Sequence, residues 1–447
     1  MALSAGPRIT FRTQLHSWTP NRLYNLSVPL RLTGRRRRRL NQPWTAGFAR
    51  RISIQARTFP TDGFTALPKH ERFEEERLVG YKAEKFYPVR LGDVFKSRYQ
   101  VVAKLGFGAY STVWLCRDLD EDVLCTLKVC VVGRGDVPEL AVSHHIKSID
   151  THHPGKGRVR VSLDDFRISS PRGSHQCLVF PTLGWTLSDL RDLFAERALE
   201  KTLLQKYMYV VVTGLDLLHQ AGVVHTDLSP NNIMTGTNDI AVSKVEQAEL
   251  DEPSPRKVLE DRTIHLSYSM PTTYDAPFII DFGAARLGEP GQKHSGDVMP
   301  AQYRAPEIIA GMEWDSKIDI WSVVVTIWSL FERANLFSAV RDGRLDDELH
   351  FAEMVSLMGP PPKEFLQRSD KCRQYWNAEG DWIAQTPIPD QTLESRETRL
   401  EGEDRELLLA LARKVLRWLP EERPSAEDLY GDGFLTQFMS EHRPVDS

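Results

Sequence analysis

The sequence predicts an α+β fold with two lobes, a small β-rich lobe followed by a larger α-helical lobe. Four short runs of β-type composition are separated by Gly and Asp turns: Tyr99–Leu105, Thr112–Arg117, Leu124–Val131 and Cys177–Pro181. From Leu187 onwards the apolar residues follow helical spacing, over Leu187–Ala195, Leu203–Ala221, Lys317–Phe331, Asp347–Met358 and Glu403–Trp418. One helical stretch, Pro138–Ile149, interrupts the β-rich part. A chain of 447 residues is long enough to bury a core in each lobe.

The charge distribution separates a basic head from an acidic body. Residues 1–61 contain 12 Arg but no Lys, Asp or Glu, so leaving them out changes the net charge from −4 to −16. We predict that this head is disordered. It fits three interpretations: a mitochondrial presequence, a nuclear-localisation or nucleic-acid patch around Arg35–Arg39, or a solvated tail. The acidic body favours basic partners, although acids spread over a solvated surface would give the same net charge.

Composition also suggests the remaining boundaries. Residues 62–98 are predicted to be an N-terminal extension, 99–437 the folded domain and 438–447 a tail. The small lobe would cover 99–183 and the large lobe 184–437, with a polar inserted loop at about 235–277. The five Cys residues form no CxxC pair, which favours a reducing compartment, and no apolar run is long enough to span a bilayer. We expect a monomer in the cytoplasm or nucleus, without a membrane partner, or in mitochondria if the head is a presequence.

A glycine-rich turn between the first two β-type runs predicts a phosphate-binding loop. Glycines let a tight hairpin bring backbone N–H groups close to phosphates. Fifteen residues after this turn, Lys128 lies in an apolar strand and needs anionic partners, which ATP phosphates and Glu139 would supply. Taken alone, the turn also fits an ordinary hairpin, and Lys128 fits a strand-edge lysine. The expected ATP-binding residues of the turn are Leu105, Gly106, Phe107, Gly108, Ala109, Tyr110, Ser111, Thr112 and Val113.

The segment His225–Asn232 has the residues that phosphate transfer to a hydroxyl requires. The reaction needs a carboxylate that orients the hydroxyl and accepts its proton, and an amide oxygen for a metal five residues later. Asp227 and Asn232 have this spacing. Asp281, in an Asp-Phe-Gly triplet after an apolar strand, would be the second Mg²⁺ ligand, and Ala305-Pro306-Glu307 begins 24 residues later. These motifs in this order predict an ATP- and Mg²⁺-dependent protein kinase with Asp227 as catalytic base.

Two downstream residues fit the same prediction. Asp319 would brace the backbone of the catalytic loop, and Arg423 would form a buried pair with Glu307. The Ala-Pro-Glu segment disfavours small-molecule phosphotransferases with kinase-like folds, which generally lack it.

The sequence resembles one kinase family in particular, the SR-protein kinases, and within it the compact fungal type. The likeness covers roughly residues 75–437. It rests on Tyr87–Asp93 before the first strand, on the continuation of the glycine-rich turn through Tyr110–Leu115, and on His225-Thr226-Asp227 where most kinases have His-Arg-Asp. The stretches Gln302–Glu307 and Met358–Pro362 resemble the wider group that includes the MAP and cyclin-dependent kinases.

This resemblance implies a two-lobed protein kinase fold and serine/threonine kinase activity towards Arg/Ser-rich proteins, with a role in regulating mRNA splicing. It implies that Phe180 is the gatekeeper, that Pro181–Leu183, including Leu183, form the hinge that holds ATP, and that the domain itself binds no nucleic acid. In this family acidic grooves hold substrate arginines. The candidates for such a groove, which an ordinary charged surface would equally explain, are Asp342, Asp346, Asp347, Glu348 and the segment Glu394–Glu406.

Two departures from the usual kinase pattern bear on activity. Ser229 stands where most serine/threonine kinases have a Lys that contacts the transferred phosphate, and a hydroxyl cannot neutralise that charge. Thr226 removes the Arg that would bind an activation-loop phosphate, and Ser295 is the obvious hydroxyl in the variable part of that loop. We therefore expect activity without activation-loop phosphorylation. Because of Ser229, a weakly active or inactive pseudokinase scaffold is the alternative to an active kinase.

Overall fold

The computed structural model describes residues 54–133, 135 and 137–440, which form two lobes. The small lobe contains one helix and six strands: β1 (Val94–Phe95), β2 (Tyr99–Gly108), β3 (Ser111–Asp118), β4 (Val123–Cys130), α1 (Pro138–Ser148), β5 (Asp164–Ser170) and β6 (Gly173–Pro181). The strands form one antiparallel sheet in the order β1-β2-β3-β4-β6-β5. The predicted α+β fold with two lobes is confirmed.

Besides the two-residue β1, strand β5 is the strand of this sheet that the β-type composition did not reveal. It carries Asp164, Asp165, Ser169 and Ser170, which are poor strand formers. The strand forms nevertheless because it pairs with β6 along its whole length at the edge of the sheet, where polar side chains can face solvent. Local composition cannot report this pairing, since the partner supplies the hydrogen bonds.

The large lobe is mainly helical. Its core is built around two helices, α3 (Lys201–Gln220) and α6 (Lys317–Phe331), and every residue of α6 from Ile318 to Phe331 is buried. The elements after the small lobe are α2 (Leu187–Asp192), α3 (Lys201–Gln220), β7 (Val223–Val224), β8 (Ile233–Gly236), α4 (Asp239–Asp251), β9 (Arg256–Val258), β10 (Thr263–His265), β11 (Asp275–Ile279), β12 (Arg286–Leu287), α5 (Pro306–Ile309), α6 (Lys317–Phe331), β13 (Val340–Arg341), β14 (Arg344–Leu345), α7 (Asp347–Met358), α8 (Lys363–Gln367), α9 (Leu393–Arg396), α10 (Gly402–Val415) and α11 (Gly433–Thr436).

The segment 235–277, expected to be an inserted loop, is folded. It contains α4 and the hairpin β9–β10. Val242 and Val245 of α4 lie on one helical face and pack against the outer side of the small-lobe sheet with Leu115. Glu246 forms a buried ion pair with Arg117 of β3. Polar composition suggested a loop, but charged side chains of this segment have partners within the fold, such as Glu246 with Arg117 and Lys257 with Glu76.

The ends of the predicted domain also differ in detail from the expectation. Residues 1–53, including Arg35–Arg39, lie outside the described residues, but 54–61 pack on the small lobe instead of being disordered. Phe59 is buried, and the backbone of Arg57 exchanges hydrogen bonds of 2.6 and 2.8 Å with the Gln100 side chain. At the other end Phe438 is buried against Tyr209 of α3, so the fold extends into the predicted tail, while 441–447 lie outside the described residues.

The part of the chain that the structure describes contains no helix long and apolar enough to cross a membrane. The five cysteines, Cys116, Cys125, Cys130, Cys177 and Cys372, are buried and form no disulfide bond with one another.

Candidate active site

The catalytic loop connects β7 to β8 and is braced from below by α6. Asp319, which is fully buried in α6, accepts the backbone N–H groups of His225 at 2.8 Å and of Thr226 at 2.9 Å. A buried carboxylate that accepts two N–H groups holds the backbone rigidly, because either unsatisfied group would be costly. The predicted role of Asp319 as a brace is confirmed.

This loop brings Asp227 and Asn232 together. The Asn232 Nδ2 donates to both the backbone oxygen and Oδ2 of Asp227, each at 2.8 Å. Because the amide nitrogen faces Asp227, the amide oxygen is the Asn232 atom that can bind a cation. Burial raises the pKa of Asp227, and the nearby charges of Asp281 and Asp319 add to this, although His225 and Asn232 oppose it. A carboxylate with a raised pKa is suited to accept a proton.

Asp281 follows β11 and has a left-handed backbone with φ of 58°. The next residue, Phe282, is fully buried and packs edge-on against the His225 ring, with centroids 5.2 Å apart. Asp281 Oδ1 lies 3.3 Å from Lys128 Nζ and accepts the Gly283 N–H at 3.2 Å. Burial alone would raise the pKa of Asp281, but Lys128, the Gly283 N–H and His225 together outweigh it and the pKa is lowered. The left-handed backbone is costly for Asp and fits a strained functional position.

Lys128 lies on β4 and connects the two lobes. Its Nζ is 2.6 Å from Glu139 Oε2 on α1 in addition to its contact with Asp281. Burial lowers the pKa of Lys128, but Glu139 and Asp281 raise it by more, so the ammonium stays charged. The predicted Lys128–Glu139 pair is thus present in the structure, and the strand-edge alternative does not apply.

The glycine-rich turn forms the roof of the cleft. Strands β2 and β3 pair up to Gly108 and Ser111, so Ala109 and Tyr110 form the tip of a hairpin. A Cβ atom added at Gly106 or Gly108 would meet no heavy atom within 4 Å, which means that space is open beside the backbone. An anionic ligand can approach these backbone N–H groups closely.

The hinge side of the cleft is formed by the end of β6. Phe180 is buried and pairs with Thr126 of β4, and Leu183, also buried, follows two residues after the strand. Side chains alternate along a strand, so Thr126 and Lys128 face the same side of β4. The predicted gatekeeper and hinge therefore lie along the same cleft as Lys128, with the glycine-rich turn above.

These residues fit a nucleoside triphosphate with Mg²⁺. The open space beside Gly106 and Gly108 can take phosphates, and Lys128 is a cation held at the same end of the cleft. Asp281 and Asn232 supply oxygen donors, the ligand type that Mg²⁺ prefers. Asp281 is kept ionised by its lowered pKa, as a cation ligand must be. When bound, Mg²⁺ would neutralise phosphate charge.

The two unusual residues of the catalytic loop have different surroundings. Thr226 has φ of 67°, unusual for a β-branched residue, and its hydroxyl donates to the Ala284 carbonyl at 3.0 Å. This bond connects the catalytic loop to the activation segment without a phosphate. Ser229 is buried and extended just before Pro230, and its side chain is too short to take the role of a Lys at the transferred phosphate.

The activation segment ends in a buried ion pair. Arg423 Nη1 and Nη2 each lie 2.7 Å from an oxygen of Glu307, and both side chains are almost fully buried. The pair predicted from the sequence is confirmed. Removing one partner of a buried pair typically costs about 3–5 kcal/mol, so this contact fixes the end of the segment.

Arg160 is a residue of the cleft that the sequence reasoning missed. Its guanidinium lies 4.6 Å from the centre of the Phe180 ring and donates to the Pro181 carbonyl. In the sequence it stands out only as a charged residue between Val159 and Val161. Without a motif attached to it, such a residue is indistinguishable from one on a solvated face.

The acidic residues proposed as a substrate groove are largely engaged in internal contacts. Asp346 caps α7, Asp347 binds Arg304 and Lys371, and Glu348 accepts from the Thr386 backbone at 2.6 Å. In the second segment Glu397 is buried, Glu394 is paired with Arg413, and Asp404 is paired with Lys201. The exposed members of both groups are Asp342, Glu401, Glu403 and Glu406. Most of the candidate acids are therefore engaged within the chain, and the groove stays a prediction that rests mainly on the four exposed acids.

The two-lobed fold places a lysine–glutamate pair, a glycine hairpin and the Asp227–Asn232–Asp281 group around one cleft. This combination defines a protein kinase. The chain belongs to the protein kinase domain family, whose model matches residues 99–435. It is an ATP-dependent serine/threonine protein kinase that resembles the SR-protein kinases. Protein kinases in general act on protein substrates with ATP and Mg²⁺.

Known proteins similar to this chain support that assignment. A serine/threonine protein kinase of Aspergillus fumigatus is 39% identical over 395 residues, which cover 87% of this chain and 97% of the relative. The serine/threonine-protein kinase SRPK of Physarum polycephalum is 28% identical over 389 residues, covering 79% of this chain and 90% of the relative. The crystal structure of another kinase domain matches with a TM-score of 0.60 at 22% identity, over 78% of this chain and 98% of that one, which shows the fold.

Proposed function

We propose that this kinase transfers the γ-phosphate of Mg-ATP to serine or threonine hydroxyls with Asp227 as catalytic base. Lys128, held by Glu139, would position the α- and β-phosphates under the glycine-rich turn. Asn232 and Asp281 would hold Mg²⁺. The observation that carries the proposal is the convergence of Asp227, Asn232, Asp281 and Lys128 on one cleft, with a raised pKa at Asp227 and a lowered pKa at Asp281.

The test is transfer of labelled phosphate from Mg-ATP to a peptide substrate by the full chain and by Asp227→Asn. We expect the variant to lose most of its turnover and to keep its nucleotide affinity, since Asp227 would act on the acceptor hydroxyl. An Asp227→Asn enzyme with full turnover would overturn the role of Asp227 as base. A parent chain that binds ATP and phosphorylates no peptide would instead favour the pseudokinase scaffold.

The proposed substrates are proteins rich in Arg and Ser. Support comes from the His225-Thr226-Asp227 sequence, from the similarity to the kinase named SRPK, and from the net charge of −16 over residues 62–447. Exposed acids that could contact substrate arginines are Asp342, Glu401, Glu403 and Glu406. Splicing regulation would follow from such substrates.

Substrate preference is tested with three peptides of equal length and one acceptor serine, flanked by Arg, by Asp, or by Pro at the following position. We expect the Arg-flanked peptide to be phosphorylated most efficiently, with the preference weakening as ionic strength rises. Preference for the acidic or the Pro-directed peptide would refute the substrate proposal and leave the kinase assignment intact. Replacing Glu401, Glu403 and Glu406 together by Gln would show whether this acidic group contributes.

We further propose that activity does not require phosphorylation of the activation segment. Neutral contacts already hold this segment: β12 pairs with β7, Thr226 bonds to Ala284, and the Trp314 indole donates to the Gly296 carbonyl at 3.0 Å. Phosphatase treatment and the variant Ser295→Ala should both leave the rate of peptide phosphorylation unchanged. A large loss in either would show that a phosphate completes the segment.

For localisation, the proposal is the cytoplasm or nucleus, with mitochondria as the alternative if the head is a presequence. The informative truncation removes residues 1–53, because 54–61 pack on the small lobe. Imaging a fluorescent fusion with and without residues 1–53 would test both targeting interpretations. An unchanged distribution would exclude targeting by the head.

A further inference from the structure

Arg160 projects into the active-site cleft from the junction between the lobes. Its backbone N–H donates to the Ile279 carbonyl at 2.9 Å, two residues before Asp281. Its side chain extends to the hinge, where Nε and Nη2 lie 3.2 and 2.9 Å from the Pro181 oxygen. The guanidinium also lies over the Phe180 ring, at 4.6 Å from its centre. Two elements on opposite sides of the cleft therefore fix its position.

This position belongs to the base end of the nucleotide site. Lys128 marks the phosphate end, and the hinge carbonyl of Pro181 marks the other end of the same cleft. Burial lowers the pKa of Arg160 to about 10, and the charges of Glu139 and Asp281 partly offset this effect. A purine bound along the hinge would meet this guanidinium at its edge.

The chemistry of a guanidinium at this place discriminates between purines. Arg carries hydrogen-bond donors and no acceptor. The 6-amino group of adenine is also a donor, so adenine would compete with Arg160 for the Pro181 carbonyl. A 6-oxo group is an acceptor, and Arg binds the O6 and N7 atoms of guanine in a bidentate manner.

We propose that Arg160 is a base-specificity residue that contacts the purine C6 substituent and admits 6-oxopurine nucleoside triphosphates as phosphate donors beside ATP. The inference rests on the proposed placement of the nucleotide between Lys128 and the hinge. ATP binding requires Arg160 to leave the Pro181 carbonyl, whereas GTP or ITP is bound with the guanidinium in the cleft.

The test compares kcat/KM for ATP, GTP and ITP with one peptide substrate, in the parent chain and in Arg160→Val. ITP has the 6-oxo group without the 2-amino group, so it isolates the contact at C6. We expect the parent to use GTP and ITP within about tenfold of ATP, and Arg160→Val to shift the ratio towards ATP by about tenfold or more. The three nucleotides are compared with the same preparation of each enzyme. A reduced fraction of active enzyme therefore does not change the ratio of the kcat/KM values.

Arg158→Val is the matched control. Its backbone oxygen also pairs with Ile279, but its guanidinium lies over Phe278, 5.8 Å from the ring centre. We expect its nucleotide ratio to equal that of the parent. If Arg160→Val is inactive, displacement of a fluorescent nucleotide by ADP, GDP and IDP gives the same ratio from binding. A change below twofold in the Arg160→Val ratio would overturn the inference, whereas loss of all nucleotide binding by the parent would overturn the proposed site.

Discussion

The two acidic groups of the active site, Asp227 and Asp281, have pKa values that are shifted in opposite directions, although burial favours a higher pKa for both. Asp227 is hydrogen-bonded by the neutral amide of Asn232 in the large lobe, and its pKa is raised because burial outweighs the opposing effects of His225 and Asn232. Asp281 meets the ammonium of Lys128 from the small lobe, and this cation lowers its pKa. Environments that push two pKa values apart favour two different roles, and these shifts support the proposed proton acceptor at Asp227 and the proposed ionised ligand at Asp281.

The surroundings of Asp227 and Asp281 also differ in whether they depend on closure of the two lobes. The Asp227 environment is complete without the small lobe, because Asp319 of α6 holds the loop. The Asp281 environment requires Lys128 of the small lobe, whose Nζ lies 3.3 Å from Asp281 Oδ1. Opening the lobes would therefore leave the base in place and change the charge balance of the metal ligand.

The largest expected effect comes from replacing each carboxylate by its amide. Asp227→Asn should lower kcat by about 10²–10⁴-fold with little change in Mg-nucleotide affinity, because a general base is lost. Asp281→Asn should lower kcat by at least about 10²-fold and also weaken Mg-nucleotide binding, because a metal ligand is lost. Steady-state kinetics and nucleotide titration at several Mg²⁺ concentrations measure both. If both variants weakened Mg-nucleotide binding equally, Asp227 and Asp281 would not have the different roles of base and metal ligand.

Removing the cation of the small lobe should have the next largest effect. Lys128→Met leaves Asp281 buried without its partner, so the pKa of Asp281 should rise. We expect kcat/KM to fall by about 10²-fold and the Mg²⁺ requirement to increase, more strongly at lower pH. Lys96→Met is the control, since Lys96 is a half-exposed lysine paired with Asp164 at 3.0 Å. A Lys128→Met enzyme whose Mg²⁺ requirement does not change would contradict the coupling.

The dependence of kcat/KM on pH should distinguish Asp227 from Asp281, because their pKa values are shifted in opposite directions. A base acts deprotonated, so activity is lost as pH falls through the pKa of Asp227. Because that pKa is raised, the acid limb of kcat/KM should lie above the ordinary value of 3.8. Asp281, with its lowered pKa, should stay ionised through this limb. In Asp319→Asn the limb should move to lower pH, since the charge of Asp319 helps to raise the pKa of Asp227. A limb at or below the ordinary value would refute the raised pKa.

The sequence predicted this centre well because each residue belongs to a spaced motif. Asp227, Asn232 and Asp281 could be located by counting, and the contacts of Asp319 and Arg423 followed from the same pattern. The acidic groove could not be predicted as well, because a count of charges does not show which acids already have internal partners, as Asp347 has in Arg304 and Lys371.

The inserted segment and Arg160 show a second reason why the sequence did not predict every feature: their roles depend on contacts that form only in the folded chain. Helix α4 is stable because Val242 and Val245 cover the small-lobe sheet, and that sheet is distant in sequence. Tertiary packing of this kind overrides local composition. Arg160 gains its meaning from Phe180 and Pro181, which lie 20 and 21 residues away and become neighbours only in the folded chain.

The smallest expected effect concerns Ser229, which lies beside the base and lacks a charge. In Ser229→Lys the ammonium could reach the transferred phosphate and stabilise its developing charge. We expect kcat to rise by no more than about tenfold, because Mg²⁺ and Lys128 would already neutralise part of that charge. Ser229→Met, of similar length and uncharged, is the matched control and should give no gain. Because Ser229 is buried, thermal unfolding of both variants must first show that the loop is intact. Equal kcat values for the folded Lys and Met variants would mean that the charge at this position is not limiting.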